Sequence, residues 1–216
     1  MKTKALLAAG LLMAASAASS FADQPVFSVN SVGFVNVTCP PGFTIIANPL
    51  AATVNTVQAL MPTTLPFLTS VFKFDPIAGA FQGSLYLGSG NWTANSLTLV
   101  PGEGFFFKNP STTNIVLTFV GNVQQGDLTT PLPQGFSLVS SQVPQTGLVS
   151  TDLKLPISAF DGVFKFNGTS YDGFINLGGA NWTGGGEPSI NVGEGFFVKK
   201  NTATSWLRTF SVNSVN

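Results

Sequence analysis

The sequence predicts an all-β fold built as two tandem pseudo-symmetric β-sandwich-like units with at most short helices. One set of motifs occurs twice, in the same order and about 90 residues apart. The segments between turn signals are short and rich in Phe, Val, Ile, Leu and Thr, and Gly, Pro, Asn or Asp bound them.

The chain opens as an exported protein would. Lys2 and Lys4 precede an apolar stretch from Ala5 to Ala18, and Ser20-Phe21-Ala22 places small residues where signal peptidase reads them. Residues 1–22 are therefore expected to be a signal peptide, with the mature chain starting at Asp23. No later segment approaches the ~18 apolar residues of a spanning helix, so no transmembrane segment is expected after leader removal. Removing Lys2 and Lys4 leaves seven basic against nine acidic side chains, a balance with no electrostatic footprint for nucleic acid. Charged residues make up 8% of the chain and apolar ones 44%, which points to a surface of Ser, Thr, Asn and Gln or to one covered by other molecules. Cys39 has no internal partner for a disulfide, so core packing must supply the stability.

The repeat begins with PGFTIIANPL at 41–50 against QGFSLVSSQV at 134–143. SVFKFD at 70–75 then matches GVFKFN at 162–167, and NWT recurs at Asn91 and Asn181. PGEGFFFKN at 101–109 matches VGEGFFVKK at 192–200, and LTF at 117–119 matches RTF at 208–210. A segment FSVNSV stands at Phe27–Val32 and again at Phe210–Val215, with FVGNV at 119–123 midway. The first β unit is thus expected over 23–121 and the second over 122–216, the latter carrying a surplus C-terminal strand.

Alternation assigns the strands. In SVFKFD, Phe72 and Phe74 share one face and Lys73 the other, so a buried aromatic face and a wet lysine face are expected, and Phe164, Lys165 and Phe166 repeat the arrangement. Asp75–Phe81 and Asn167–Tyr171 read as hairpin connections with Gly79 and Gly168 free to take positive φ. Val54, Val57, Leu60 and Met61 before Pro62 predict one or two helical turns, echoed by Val149 and Leu153 before Pro156.

The chain contains no histidine, which removes Ser-His-Asp and Cys-His hydrolysis, His-ligated zinc and the non-haem iron triad together. No metal or cofactor is expected, and no catalytic residue. A Ser-x-x-Lys match at Ser70–Lys73 lies on a strand rather than a helix, and Gly162 replaces the serine in the second unit. Glu103 and Glu194, each within Gly-Glu-Gly, are the sharpest catalytic alternative, an opposed acid pair of glycoside-hydrolase type. Flanking glycines favour a tight turn whose amides the carboxylate accepts. Trp92 and Trp182, with Tyr86 and Tyr171, are the candidate ligand-binding aromatics, a stacking platform for polysaccharide if exposed, although an aromatic repeated at one point of a β unit is more often a core or strand-corner residue. Trp206 is the third tryptophan. Asn36, Asn91, Asn167 and Asn181 begin Asn-x-Thr sequons that read as turn residues in a bacterial host. Fourteen prolines and short uneven strands speak against a transmembrane barrel.

Through GFTIIANPL, NWT, PGEGFFFKN and the duplicated TF ending the chain resembles a group of uncharacterised exported bacterial two-repeat β proteins. That resemblance implies secretion and repeat architecture and brings no catalytic residues. The expected function is that of a non-catalytic secreted or cell-surface structural or interaction protein, in the extracellular space, matrix or periplasm. Its partners would be copies of itself or other surface proteins, with self-assembly through β-strand edges. The surplus strand either completes its own sheet or adds to the next molecule. The alternatives are a carbohydrate-binding module using exposed tryptophans and, less favoured, an acid-pair glycoside hydrolase.

Overall fold

The computed structural model describes residues 31–212. The expected leader, residues 27–30 of the first FSVNSV segment and residues 213–215 of the second lie outside them. Among the described residues every strand ladder is antiparallel. The first half runs β1 (Val32–Cys39), β2 (Gly42–Ala47), a single helical turn α1 (Val57–Leu60), β3 (Ser70–Asp75), β4 (Ala80–Gly88), β5 (Asn91–Trp92), β6 (Gly104–Asn109) and β7 (Ile115–Asn122). The second runs β8 (Gly126–Leu132), β9 (Gly135–Val139), β10 (Gly147–Leu148), β11 (Gly162–Phe166), β12 (Tyr171–Gly178), β13 (Asn181–Trp182), β14 (Ser189–Ile190), β15 (Phe196–Lys200) and β16 (Thr204–Phe210).

Each half closes a five-stranded sheet with a two-stranded ribbon. The sheets have the same order, β2-β6-β3-β4-β5 and β9-β15-β11-β12-β13, and the ribbons are β1-β7 and β8-β16. Alternation decides what is enclosed: Val71, Phe105 and Phe107 on the inner face of the first sheet pack against Val37, Leu117 and Phe119 of its ribbon. In the second half Val163, Phe196 and Val198 pack against Leu132 and Trp206. The junction expected between 121 and 122 falls on the last pair of β7, where Asn122 faces Val32, and strand pairing pauses only at 123–125.

α1 forms where Thr56 caps Ala59 N–H through its side chain, and Pro62 follows directly. Its expected echo at 149–153 makes turns instead. There Glu187 accepts from the Ser150 and Thr151 amides, and Asp152 from Leu148 N–H at 2.8 Å. Side-chain oxygens thus take the donors a helix would have used. The hairpin turns form as expected: Asp75 Oδ1 accepts from the Ile77 and Ala78 amides, and Asn167 Oδ1 from those of Thr169 and Ser170.

The Phe-Lys-Phe segments depart from expectation. Lys73 lies on the inner face with Val71, while Phe72 and Phe74 point outward from their own half. The outward rings are covered by the other half. Phe74 sits 5.5 Å from Phe197, Phe106 5.5 Å from Phe166, and Phe106 6.3 Å from Phe197, with Ile45 and Leu138 completing a central apolar layer. Hydrogen bonds repeat the reciprocity: Ala47 N–H donates to Gly193 O at 2.9 Å and Ser140 N–H to Gly102 O at 3.0 Å. Each contact has its mirror, as a two-fold relation requires.

The two glycines of each Gly-Glu-Gly serve different ends. Gly102 and Gly193 hold φ of +95° and +76° at the turn. Gly104 and Gly195 instead give room: a Cβ on Gly195 would stand 2.7 Å from Ile45 Cγ2, 2.9 Å from Ile46 O and 3.1 Å from Gly104 Cα. On Gly104 it would stand 3.0 Å from Val139 O. Gly195→Ala should therefore cost about 1–3 kcal/mol of stability and Gly104→Ala less, read from urea unfolding midpoints of the two variants.

The halves differ at the end of the central strands. Lys200 and Asp161 form an ion pair with side chains only 3% and 1% exposed. Lys200 also donates to Pro156 O at 2.7 Å, and Asp161 accepts from the Ser158 and Asn201 amides. Register places Asn109 and Thr69 at the corresponding sites, where Asn109 Nδ2 donates to Cys39 O and Thr113 O. Burial works to raise the Asp161 pKa, but the Lys200 bond and the two amides outweigh it and hold it below the usual carboxylate range. A depressed folded pKa contributes stability above the unfolded value near pH ~4 that is lost as pH falls through the folded pKa. Asp161→Asn, which strands Lys200, should cost about 3–5 kcal/mol; the double change D161T/K200N should restore most of it in thermal melts at neutral pH and flatten the acid limb.

Candidate functional site

The duplicated acids and lysines meet where the halves join. Lys73 Nζ lies 2.7 Å from Glu103 and donates to Thr98 O and Oγ1 at 3.2 Å. Glu103 Oε2 accepts from Val100 N–H at 3.2 Å, closing the turn that carries it. In the second half Lys165 Nζ lies 3.0 Å from Glu194 and donates to Ser189 O at 2.6 Å. Glu194 accepts from the Asn191 amide and side chain at 2.9 and 3.1 Å. Each carboxylate is thus neutralised by the lysine of its own half and anchored by a turn amide.

A groove of about 800 Å³ runs along the first of these pairs, between the β3–β4 hairpin and the β8–β9 connection. Lys73, Asp75, Gln82, Thr98, Glu103 and Ser137 line it, and Glu194 does not. The two glutamates therefore do not share this cleft, whereas opposed acid catalysis needs both carboxyl groups on one bond. Ser70 is buried and donates to Leu68 O at 3.0 Å. Among the described residues no three of Cys, His, Asp and Glu come together as metal ligands would.

The aromatic candidates are mostly interior. Trp92 is 6% exposed and packs 5.2 Å from Tyr86. Tyr86 is itself buried, donating to Thr63 O and accepting from Gly90 N–H at 2.9 Å. Trp182 is partly buried against the second core, and Trp206 is buried with Nε1 donating to Leu153 O at 2.9 Å. Tyr171 alone of the four binding candidates is open, 45% exposed, its ring 5.2 Å from Phe166 and 5.9 Å from Phe197. Rings packed in cores have no free face for a sugar.

One exposed apolar surface is a feature that sequence reasoning missed. The outer face of the β1–β7 ribbon carries Val32 (67% exposed), Phe34 (71%), Val116 (54%) and Val120 (56%). Phe34 and Val120 are direct cross-strand partners, as are Asn36 and Thr118 beside them, joined by a 2.7 Å bond. The alternation of VGFVNVTC shows two faces; nothing in it says that its larger side chain points to solvent.

No family model, no curated protein and no solved structure matches the chain.

Cys39 is free and fully buried, and burial pushes its thiol up to about 12. The folded pKa lies above the unfolded value of ~8.5, so this contribution is complete below that value and is lost as pH rises toward the folded pKa. A thiol reagent at neutral pH should leave the native chain unlabelled and modify it on unfolding; stoichiometric labelling of the native protein, followed by absorbance, is the contrary result.

Proposed function

We propose that the protein is a non-catalytic, exported structural protein of the cell surface or matrix that works by associating with copies of itself. The observation that carries this is the β1–β7 ribbon, an exposed apolar face on a strand pair that, among the described residues, joins no further ladder beyond a single Ala51–Asn122 bridge. Its composition removes the usual safeguards. No charged residue occurs between Asp23 and Lys73, and none between Lys108 and Asp127. Natural sheet proteins blunt open edges with charges, prolines or bulges, and the second ribbon has such protection, with Asp127 and Pro131 in β8 and Arg208 in β16. A near-zero net charge adds little repulsion between molecules.

The acid and lysine pairs support the non-catalytic part of the reading, because each glutamate is spent on a turn and a counter-ion. The leader pattern supports export. Trp92, buried, and Trp182, half-buried against the second core, do not favour a glycan platform.

Phe34→Lys with Val120→Lys places two charges on the outer face without touching the core. Light scattering of the chain from Asp23 should show mass rising with concentration for the wild type and loss of that rise for the double variant. Undiminished association of the charged variant would sink the reading of this face.

A further inference from the structure

The fold does not account for every polar group along the groove between the β3–β4 hairpin and the β8–β9 connection. Three buried side-chain oxygens among the described residues have no hydrogen-bond partner: Thr44 Oγ1, Gln124 Oε1 and Ser137 Oγ. Buried hydroxyls are ordinarily paired, so an orphan calls for a reason beyond packing. Ser137, 3% exposed, is the one of the three that lines the groove. Thr44 follows Gly42-Phe43 in β2 as Ser137 follows Gly135-Phe136 in β9, and it lies off the groove.

A second difference between the halves lies beside the first. A Cβ on the turn glycine Gly102 would stand 3.0 Å from Thr130 Oγ1, whereas one on Gly193 would stand 2.6 Å from Val37 Cγ2. A valine thus meets the needs of the fold at such a turn, and the groove side has a hydroxyl instead.

Charge decides which ligands the groove refuses. Among the described residues Lys73 is the only basic side chain on it. The Lys73 ammonium is directed to Glu103, Thr98 O and Thr98 Oγ1, which engages its three donors. An anion would find no free cation there, and Asp75 and Glu103 would repel it. A cation would meet in Glu103 a carboxylate that already has its counter-ion. The groups left over are neutral: the hydroxyls of Ser137, Thr130 and Thr98 and the amide of Gln82, each able to donate and to accept. Ile77, Pro131 and Pro133 add apolar surface, and the groove's volume of about 800 Å³ falls within the roughly 300–1,000 Å³ of small-molecule sites.

We infer that this groove binds a short uncharged saccharide. A sugar hydroxyl donates and accepts at one atom, as the free serine and threonine hydroxyls do, and the C–H faces of its ring suit the isoleucine and the two prolines. A peptide offers N–H groups that only donate and carbonyls that only accept, which makes it the less suited occupant. No tryptophan lines the site, and it does not depend on self-association.

Isothermal titration of the chain from Asp23 tests the assignment, with cellotetraose, maltotetraose and N-acetylchitotetraose as neutral probes. Tetragalacturonate is the anionic comparison and an uncharged octapeptide the peptide one. At least one neutral saccharide should bind, and more tightly than either comparison. Ser137→Ala should weaken that binding about fivefold, the worth of one hydrogen bond, while Thr44→Ala leaves it unchanged. Both variants should keep the thermal midpoint, since each removes a hydroxyl that bonds to nothing in the fold. Thr130→Val, which copies Val37 of the other half, should also weaken binding and keep the fold. The assignment falls if no neutral saccharide binds, if tetragalacturonate or the peptide binds better, or if Ser137→Ala and Thr130→Val bind as the wild type does.

Discussion

The close approach of two backbones at Gly104 and Gly195 sets the spacing of everything between the halves. With no side chain at either position, β6 and β15 come together until a Cβ on one would nearly touch the other's Cα. At that distance Phe74, Phe106, Phe166 and Phe197 pair edge to face across the join, a geometry worth about 0.5–1.5 kcal/mol per pair beyond area burial. The Ala47 to Gly193 and Ser140 to Gly102 hydrogen bonds have the same origin, since they also need backbone within 3 Å of backbone. A methyl group at the centre would part the rings and the amides together. The Gly-Glu-Gly element is thus duplicated because both copies meet at one place.

That geometry explains what becomes of the acidic residues. A corner tight enough to deliver the second glycine leaves amides that need an acceptor, and Glu103 and Glu194 supply it. The lysine of each Phe-Lys-Phe segment, turned inward by alternation, then finds a carboxylate at the rim of its core. At the far end of the central strands the halves meet one requirement by different chemistry. Asn109 satisfies neighbouring carbonyls with an amide, whereas Lys200 and Asp161 do so as a fully bonded ion pair. Either set satisfies its buried polar groups, which is what the interior demands.

The strands, their alternation and the hairpin turns at Asp75 and Asn167 were legible because each rests on local chemistry. So was the turn role of the two glutamates. The orientation of Phe-Lys-Phe was not, because alternation shows that Phe72 and Phe74 share a face without saying which face meets the core. An aromatic face reads as interior by default, and here it is interior only because a second sheet covers it. Trp92 was more legible: repetition at one point of each unit favoured a core or corner place over a platform, and it is buried against Tyr86. The turns at 149–153 defeated a helical reading because Glu187, distant in sequence, captures the amides.

The proposed self-association rests on a contrast between the ribbons. They occupy matching places on matching sheets, so their surfaces should differ only where something beyond the fold requires it. Asp127, Pro131 and Arg208 protect one pair of strands, while the other has valine and phenylalanine at its exposed positions and no charge in either strand. Stability does not ask for Phe34 at an exposed site, and solubility argues against it.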